Sequence, residues 1–132
     1  MYFPGWLQLW RKLFPQAAIS FIEFDVKCAE KYKQSIEREA GGTLYMGNQA
    51  NLTLLARIVS DSHQTGQYDI IIDDGGHNPT AQLVSLQGLW PALKSGGAYV
   101  EEDVHVRGSS AIRVLLPPGL RGSGQRQVML LT

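Results

Sequence analysis

The chain has 132 residues, 44% of them hydrophobic, which is enough for one domain with a real core and too few for two. Twelve basic and twelve acidic side chains balance to zero net charge, so bulk electrostatics gives no pull toward nucleic acid. The lone cysteine, Cys28, excludes an internal disulfide and a CxxC metal pair, in keeping with a reducing, cytoplasmic setting.

Residues 5 to 14 put Trp6, Leu7, Leu9, Trp10 and Leu13 on one side of a helical wheel and Gln8, Arg11 and Lys12 on the other, which predicts a short amphipathic helix whose exposed tryptophans need a partner surface. Arg11 and Lys12 interrupt the apolar run, so it does not read as a signal peptide. No window reaches the roughly 18 apolar residues of a membrane span, and no membrane partner is expected. Ala18 to Phe24 is a compact β-branched and aromatic run that reads as a strand buried on both faces. Asp25 caps the next helix, with Cys28, Ala29, Tyr32 and Ile36 inward and Gly41-Gly42 as its stop. A strand over Thr43 to Met46 leads through Gly47-Asn48-Gln49 into a helix over 50 to 60, and the polar residues 61 to 67 read as a loop carrying His63.

Tyr68 to Asp74 contains three consecutive isoleucines, which cannot alternate with solvent, so this strand belongs at the centre of a sheet. Asn78-Pro79 opens a helix whose apolar stripe is Leu83, Leu86, Trp90 and Leu93, ending at Ser95-Gly96-Gly97. Ala98 to Val100 starts another strand, with His105 on a loop beyond it. The expected division is a domain over 1–105 and an irregular tail over 106–132, in which only Ala111 to Leu116 and Val128 to Leu131 are strand-like. Strands alternating with helices over short connections indicate an α/β fold, a Rossmann-like parallel sheet with flanking helices.

Such sheets bind ligands beyond the carboxyl ends of their strands, and the acids fall there: Glu23 and Asp25, then Asp73 and Asp74, then Glu101 to Asp103. In IIIDDGGH, two glycines permit a tight turn that lets Asp74 and His77 converge. Carboxylates suit magnesium, and a neutral histidine beside a cation can act as general base toward a hydroxyl. The plainer reading is a turn-capping Asp73 and a surface His77. Glu102 and Asp103, on an adjacent parallel strand about 5 Å away by sheet geometry, would complete an oxygen cage or form an ordinary solvated turn. Glu23 is placed to accept ribose hydroxyls or to share a helix cap with Asp25.

The segment YDIIIDDGGHNPTAQLVSLQGLWPALKSGGAYVEEDVH over residues 68 to 105 resembles the macrocin-type, sugar-modifying, S-adenosylmethionine (SAM)-dependent O-methyltransferases. Upstream, FIEFD is similar to that family's second-strand acid motif and YMGNQAN to its GDQ turn, with Asn48 where the family carries aspartate. The resemblance implies methyl transfer from SAM to the hydroxyl of a small-molecule acceptor, aided by magnesium. It implies cofactor contacts at Glu23, Asn48, Gln49 and Asp73, metal ligands at Asp74, Glu102 and Asp103, and His77 as base. The family's first strand and GxGxG-type loop would precede residue 5, so the fold is expected to lack both. Gly119, Gly122 and Gly124 do not replace the loop, since they fall in a Pro/Arg-rich stretch rather than between strand and helix. The missing strand would lie between those at 18–24 and 68–74. Three arrangements remain open: the two edges close on each other, Val128 to Leu131 fills the gap, or the chain folds poorly. A non-catalytic remnant or interaction module is the alternative function, and a dehydrogenase, lacking GxGxxG, ranks behind it. The acceptor and the oligomeric state are not legible.

Overall fold

The computed structural model describes residues 3–106, 109–115 and 127–132, and within them the side chains of residues 7–104, 112–115 and 127–132. The order is α1 (Phe3–Leu13), β1 (Ala18–Glu23), α2 (Val26–Glu39), β2 (Gly41–Met46), α3 (Leu52–Thr65), β3 (Tyr68–Asp73), α4 (Pro79–Leu89), a 3-10 turn (Trp90–Ala92), β4 (Leu93–Val106), β5 (Ser109–Leu115) and β6 (Gln127–Leu131). The strands form one sheet in the order β2-β1-β6-β3-β4-β5, parallel except for the antiparallel edge strand β5. The expected Rossmann-like α/β architecture is present.

Period-2 alternation sorts the strand side chains onto two helical layers. Ile19, Phe21, Ile72, Val128 and Leu130 join Leu7, Ala29 and Ile36 of α1 and α2. Ile22, Ile71, Tyr99, Met129 and Leu131 join Leu55, Ile58 and Leu89 of α3 and α4. The sheet therefore has a core on each face, which is why its central strands are apolar at nearly every position.

The largest departure from the expectations is at the carboxyl-terminal end. Within the span expected to be an irregular tail, the described residues Ser109–Leu115 and Gln127–Leu131 are strands that enter the sheet. Of the three arrangements left open, the second is found: β6 fills the gap between β1 and β3, pairing Ile19↔Val128 and Phe21↔Leu130 on one side and Ile70↔Val128 and Ile72↔Leu130 on the other. Val128 and Met129 are fully buried, so a four-residue apolar run satisfies two strand edges and both layers at once. At its start, Gln127 N donates to Asp69 Oδ2 over 2.7 Å, and Lys94 Nζ lies 2.9 Å from the same oxygen. At its end, Leu131 O accepts from Asp74 N over 3.2 Å and Thr132 N donates to Ile22 O over 3.0 Å. Gly119, Gly122 and Gly124 lie outside the described residues.

Smaller corrections have local causes. α3 continues to Thr65, so His63 is exposed on a helix rather than on a loop; the polar run from Asp61 is mostly the helix's solvent face, with Ser62 turned in to donate to Val59 O. β4 continues to Val106 and includes His105, whose side chain lies outside the described ones. Gly41-Gly42 opens β2 rather than only stopping α2; Gly41 has φ +64°, and a Cβ on Gly42 would run into the Ile19 carbonyl of β1. Ser95 to Gly97 likewise fall in β4, where the pairing with β3 shifts register between Tyr68 and Ile70. Trp10, expected to need a partner surface, finds it in the chain's own α1/α2 core and stacks on Phe14 with ring centroids 5.9 Å apart, while Leu9 and Leu13 face out. The Trp6 side chain lies outside the described ones. Among the described residues no helix is long and apolar enough to cross a membrane.

Candidate functional site

β3 leaves the sheet at Asp73-Asp74, and the two carboxylates separate. Asp73 is 1% exposed and faces the α3/α4 layer. Ser85 Oγ donates to its Oδ2 over 2.5 Å, Gln49 Nε2 donates to its two oxygens over 3.0 and 3.2 Å, and Tyr99 Oη reaches Oδ2 over 3.4 Å. Gly75 N adds a bond of 3.3 Å to Oδ1. Burial pushes this carboxyl above the usual carboxylate range, and the Ser85, Gly75, Gln49 and Tyr99 donors pull back against it. Gln49 closes the turn by accepting from Gly76 N over 2.5 Å, and a side chain at Gly75 would strike its amide oxygen. Asp73 and Gln49, expected among the cofactor contacts, thus have their polar groups turned inward to shape the DDGG turn; Gln49 still contributes to a cleft wall.

The inward face of α4 explains this turn. Half of the expected stripe is buried, with Leu93 in the core and Leu86 packed against it, but Leu83 is 52% exposed and Trp90 38%, while Gln82, Ser85 and Leu89 are buried. Gln82 Nε2 donates to Glu102 O over 3.1 Å, so this polar face ties β3 to β4 beneath the site. Sequence periodicity missed Ser85, Gln82 and Tyr99 because it scores apolar residues. Their signal was the small and polar spacing at 82 and 85 opposite a double aspartate.

Asp74 emerges half-buried on the other side of the turn. Its carboxylate, the His77 imidazole and the Asp103 carboxylate present ligand atoms that all lie within 4.8 Å of one another. His77 Nε2 is 3.7 Å from Asp103 Oδ2. Asp103 sits at φ +50°, a left-handed position uncommon for a residue with a Cβ, where β4 is bulged against β5. Burial raises the Asp74 carboxyl above its ordinary range, with the Asp103 and Asp73 charges adding to this and His77 opposing it. Glu102 is raised by burial and by Asp74 and Asp103. Glu101 is set apart: it is 2% exposed, and its Oε2 lies 3.2 Å from Arg113 Nη1 of β5 in an ion pair without hydrogen-bond geometry. Of the acids at this strand end, Asp103 belongs to the cluster, Glu102 is coupled to it by charge only, and Glu101 stands apart.

Beyond the carboxyl ends of β1 and β2 lies a cleft of about 430 Å³ whose lining includes Glu23, Asn48, Gln49, Gly76 and Thr132. Glu23 is 8% exposed; its Oε1 accepts from Asp25 N over 2.7 Å and its Oε2 from Thr132 Oγ1 over 3.1 Å. Asp25 caps α2, accepting from Lys27 N and Cys28 N, while its own N–H is held by Glu23. Asn48 is exposed at the cleft, its Oδ1 accepting from Ala50 N over 2.8 Å. A cleft of this size is in the range of small-molecule sites. Thr132 had no sequence signal, since its place depends on where β6 inserts.

The chain is 35% identical over 100 residues to the Streptomyces olivaceus enzyme 8-demethyl-8-(2-methoxy-alpha-L-rhamnosyl)-tetracenomycin-C 3'-O-methyltransferase, covering 76% of the chain and 23% of the relative. It is a relative of the sugar O-methyltransferases. Mycinamicin VI 2''-O-methyltransferase of Micromonospora griseorubida is 30% identical and demethylmacrocin O-methyltransferase of Streptomyces fradiae 29%, each again over 76% of the chain and 23% of the relative. The chain thus spans about a quarter of the length of these methyltransferases. A solved structure, MycE methyltransferase in complex with Mg, SAH and mycinamycin VI, superposes with a TM-score of 0.49 at 21% identity, covering 76% of this chain and 33% of that one. No family model matches the chain.

Proposed function

We propose that this chain carries the cofactor and metal half of a SAM-dependent, magnesium-assisted O-methyltransferase that acts on a hydroxyl of a small, sugar-bearing acceptor in the cytoplasm. The observation that carries this reading is the convergence of Asp74, His77 and Asp103 beside a cleft walled by a buried acid, Glu23. The donor set fits a hard cation: the Asp74 and Asp103 carboxylates converge with His77, and the Asp74 and Glu102 carboxyls are both raised by burial and neighbouring negative charge, an arrangement that a divalent ion relieves.

Asp74, Glu102 and Asp103 would hold magnesium, which when bound supplies Lewis acidity that lowers the pKa of an acceptor hydroxyl. His77 takes the hydroxyl proton on its imidazole, and Asp103, 3.7 Å from Nε2, stabilises the resulting cation. Glu23 accepts from the ribose hydroxyls of SAM, and Asn48 borders the adenine side of the cleft. Asp73 and Gln49 keep the DDGG turn in the shape that presents Asp74 and His77. SAM supplies the electrophilic methyl group.

Calorimetric titration of the folded chain with SAM, with and without magnesium, tests the reading. Saturable SAM binding is expected, weakened about tenfold or more by Glu23→Ala, together with a magnesium titration that Asp74→Ala abolishes. A folded chain that takes up neither ligand would refute the enzyme reading and leave a methyltransferase fold without its cofactor.

A further inference from the structure

The end of β6 brings into the cleft a side chain that the proposed function does not use. Leu131 pairs with Ile22 of β1, so Thr132 stands beside Glu23 at the next position along the strands. Its main-chain N–H already donates to Ile22 O over 3.0 Å. Its hydroxyl lies 3.2 Å from that same carbonyl and 3.1 Å from Glu23 Oε2. A hydroxyl has one proton to give, and an ionised carboxylate is the stronger acceptor, so the proton goes to Glu23. Asp25 N donates to Oε1 from the other side over 2.7 Å. One donor on each oxygen holds the carboxylate plane, and each oxygen of this cleft-lining residue keeps lone-pair capacity for a further donor. Thr132 also borders a second, smaller cavity with Asp74 and Glu102, so it stands between the nucleoside side of the site and the acidic cluster.

We propose that Thr132 is a positioning residue that fixes the Glu23 carboxylate for a vicinal diol, so that the cleft selects a ribonucleoside over its deoxy counterparts through a residue delivered by the inserted strand. This rests on the reading of the cleft as a nucleoside site. The selectivity arises because an acceptor pair held at one orientation meets two adjacent hydroxyls without losing rotamer freedom on binding. A carboxylate free to turn meets them only after being ordered.

The test compares adenosine with 2′,3′-dideoxyadenosine, measured calorimetrically on the full chain as wild type, Thr132→Val and Thr132→Ser. Valine keeps the shape and removes the hydroxyl; serine keeps the hydroxyl. Thr132→Val is expected to weaken adenosine about tenfold and to leave dideoxyadenosine unchanged, with Thr132→Ser within about twofold of wild type. Equal losses for both nucleosides would make Thr132 a mere anchor of β6 and overturn the proposal, as would no loss for either. A wild-type chain that binds neither nucleoside overturns the nucleoside reading itself, and that failure is visible before any variant is compared.

Discussion

Asp73 and Asp74 are adjacent in sequence and differ in almost every physical respect. Asp73 sits inside the α3/α4 layer under Ser85, Gln49, Gly75 and Tyr99; Asp74 turns out toward His77 and Asp103. The convergence of Asp74 and His77 was legible, because a tight turn after a buried strand confines them. The inward turn of Asp73 was not, since a turn of two glycines can present either acid. Ser85→Ala removes the shortest bond to a buried carboxylate and should cost about 1–3 kcal/mol of stability, measured by urea unfolding; a loss under a few tenths would mean that water replaces the hydroxyl. Cys28 gives a pH-dependent check. Burial raises its thiol, and the Glu23 and Asp25 charges raise it further. A raised pKa leaves less thiolate at neutral pH, so iodoacetamide should modify it more slowly than free cysteine, with the rate still climbing at pH values where a free thiol levels off. A rate equal to that of free cysteine would contradict this environment.

Among the elements, α2 and α4 begin where caps were readable, at Asp25 and Asn78, because capping is a local bond to the second and third backbone N–H groups. What α4 buries follows the apolar stripe only in part, since Leu86 packs against the core but Leu83 does not. Helical periodicity assumes an apolar inward face, yet this helix packs against a double aspartate and turns Gln82 and Ser85 inward to meet it. β6 was visible only as a short apolar run. Its run of Val128 to Leu131 suits any position buried on both faces, and nothing within it says which two strands it joins. Met129 is fully buried in the α3/α4 layer, so Met129→Ala should destabilise the fold by about 2–5 kcal/mol. Thermal unfolding followed by circular dichroism checks it. An unchanged midpoint would mean that β6 does not occupy the centre of the sheet.

At the scale of the molecule, β6 lies between β1 and β3, so among the described residues the two halves of the sheet are joined edge to edge through a strand distant in sequence from both. Unfolding should therefore be a single cooperative event. In hydrogen exchange, the amides of Ile22, Ile71 and Leu130 are expected to share one protection free energy, that of global unfolding; separate values for β1 and β3 would show two independent halves. The sequence by itself determined the cores of the strands, the starts of α2 and α4, the flanking helices and the convergence of Asp74 with His77, because alternation, capping and turn formation act over a few neighbours. Only the tertiary structure decided the place of β6, the inward turn of Asp73 and Gln49, the separation of Glu101 from Glu102 and Asp103, and the approach of Thr132 to Glu23. Each of these depends on which strand lies beside which, and that is settled by pairing and packing between segments as much as 110 residues apart.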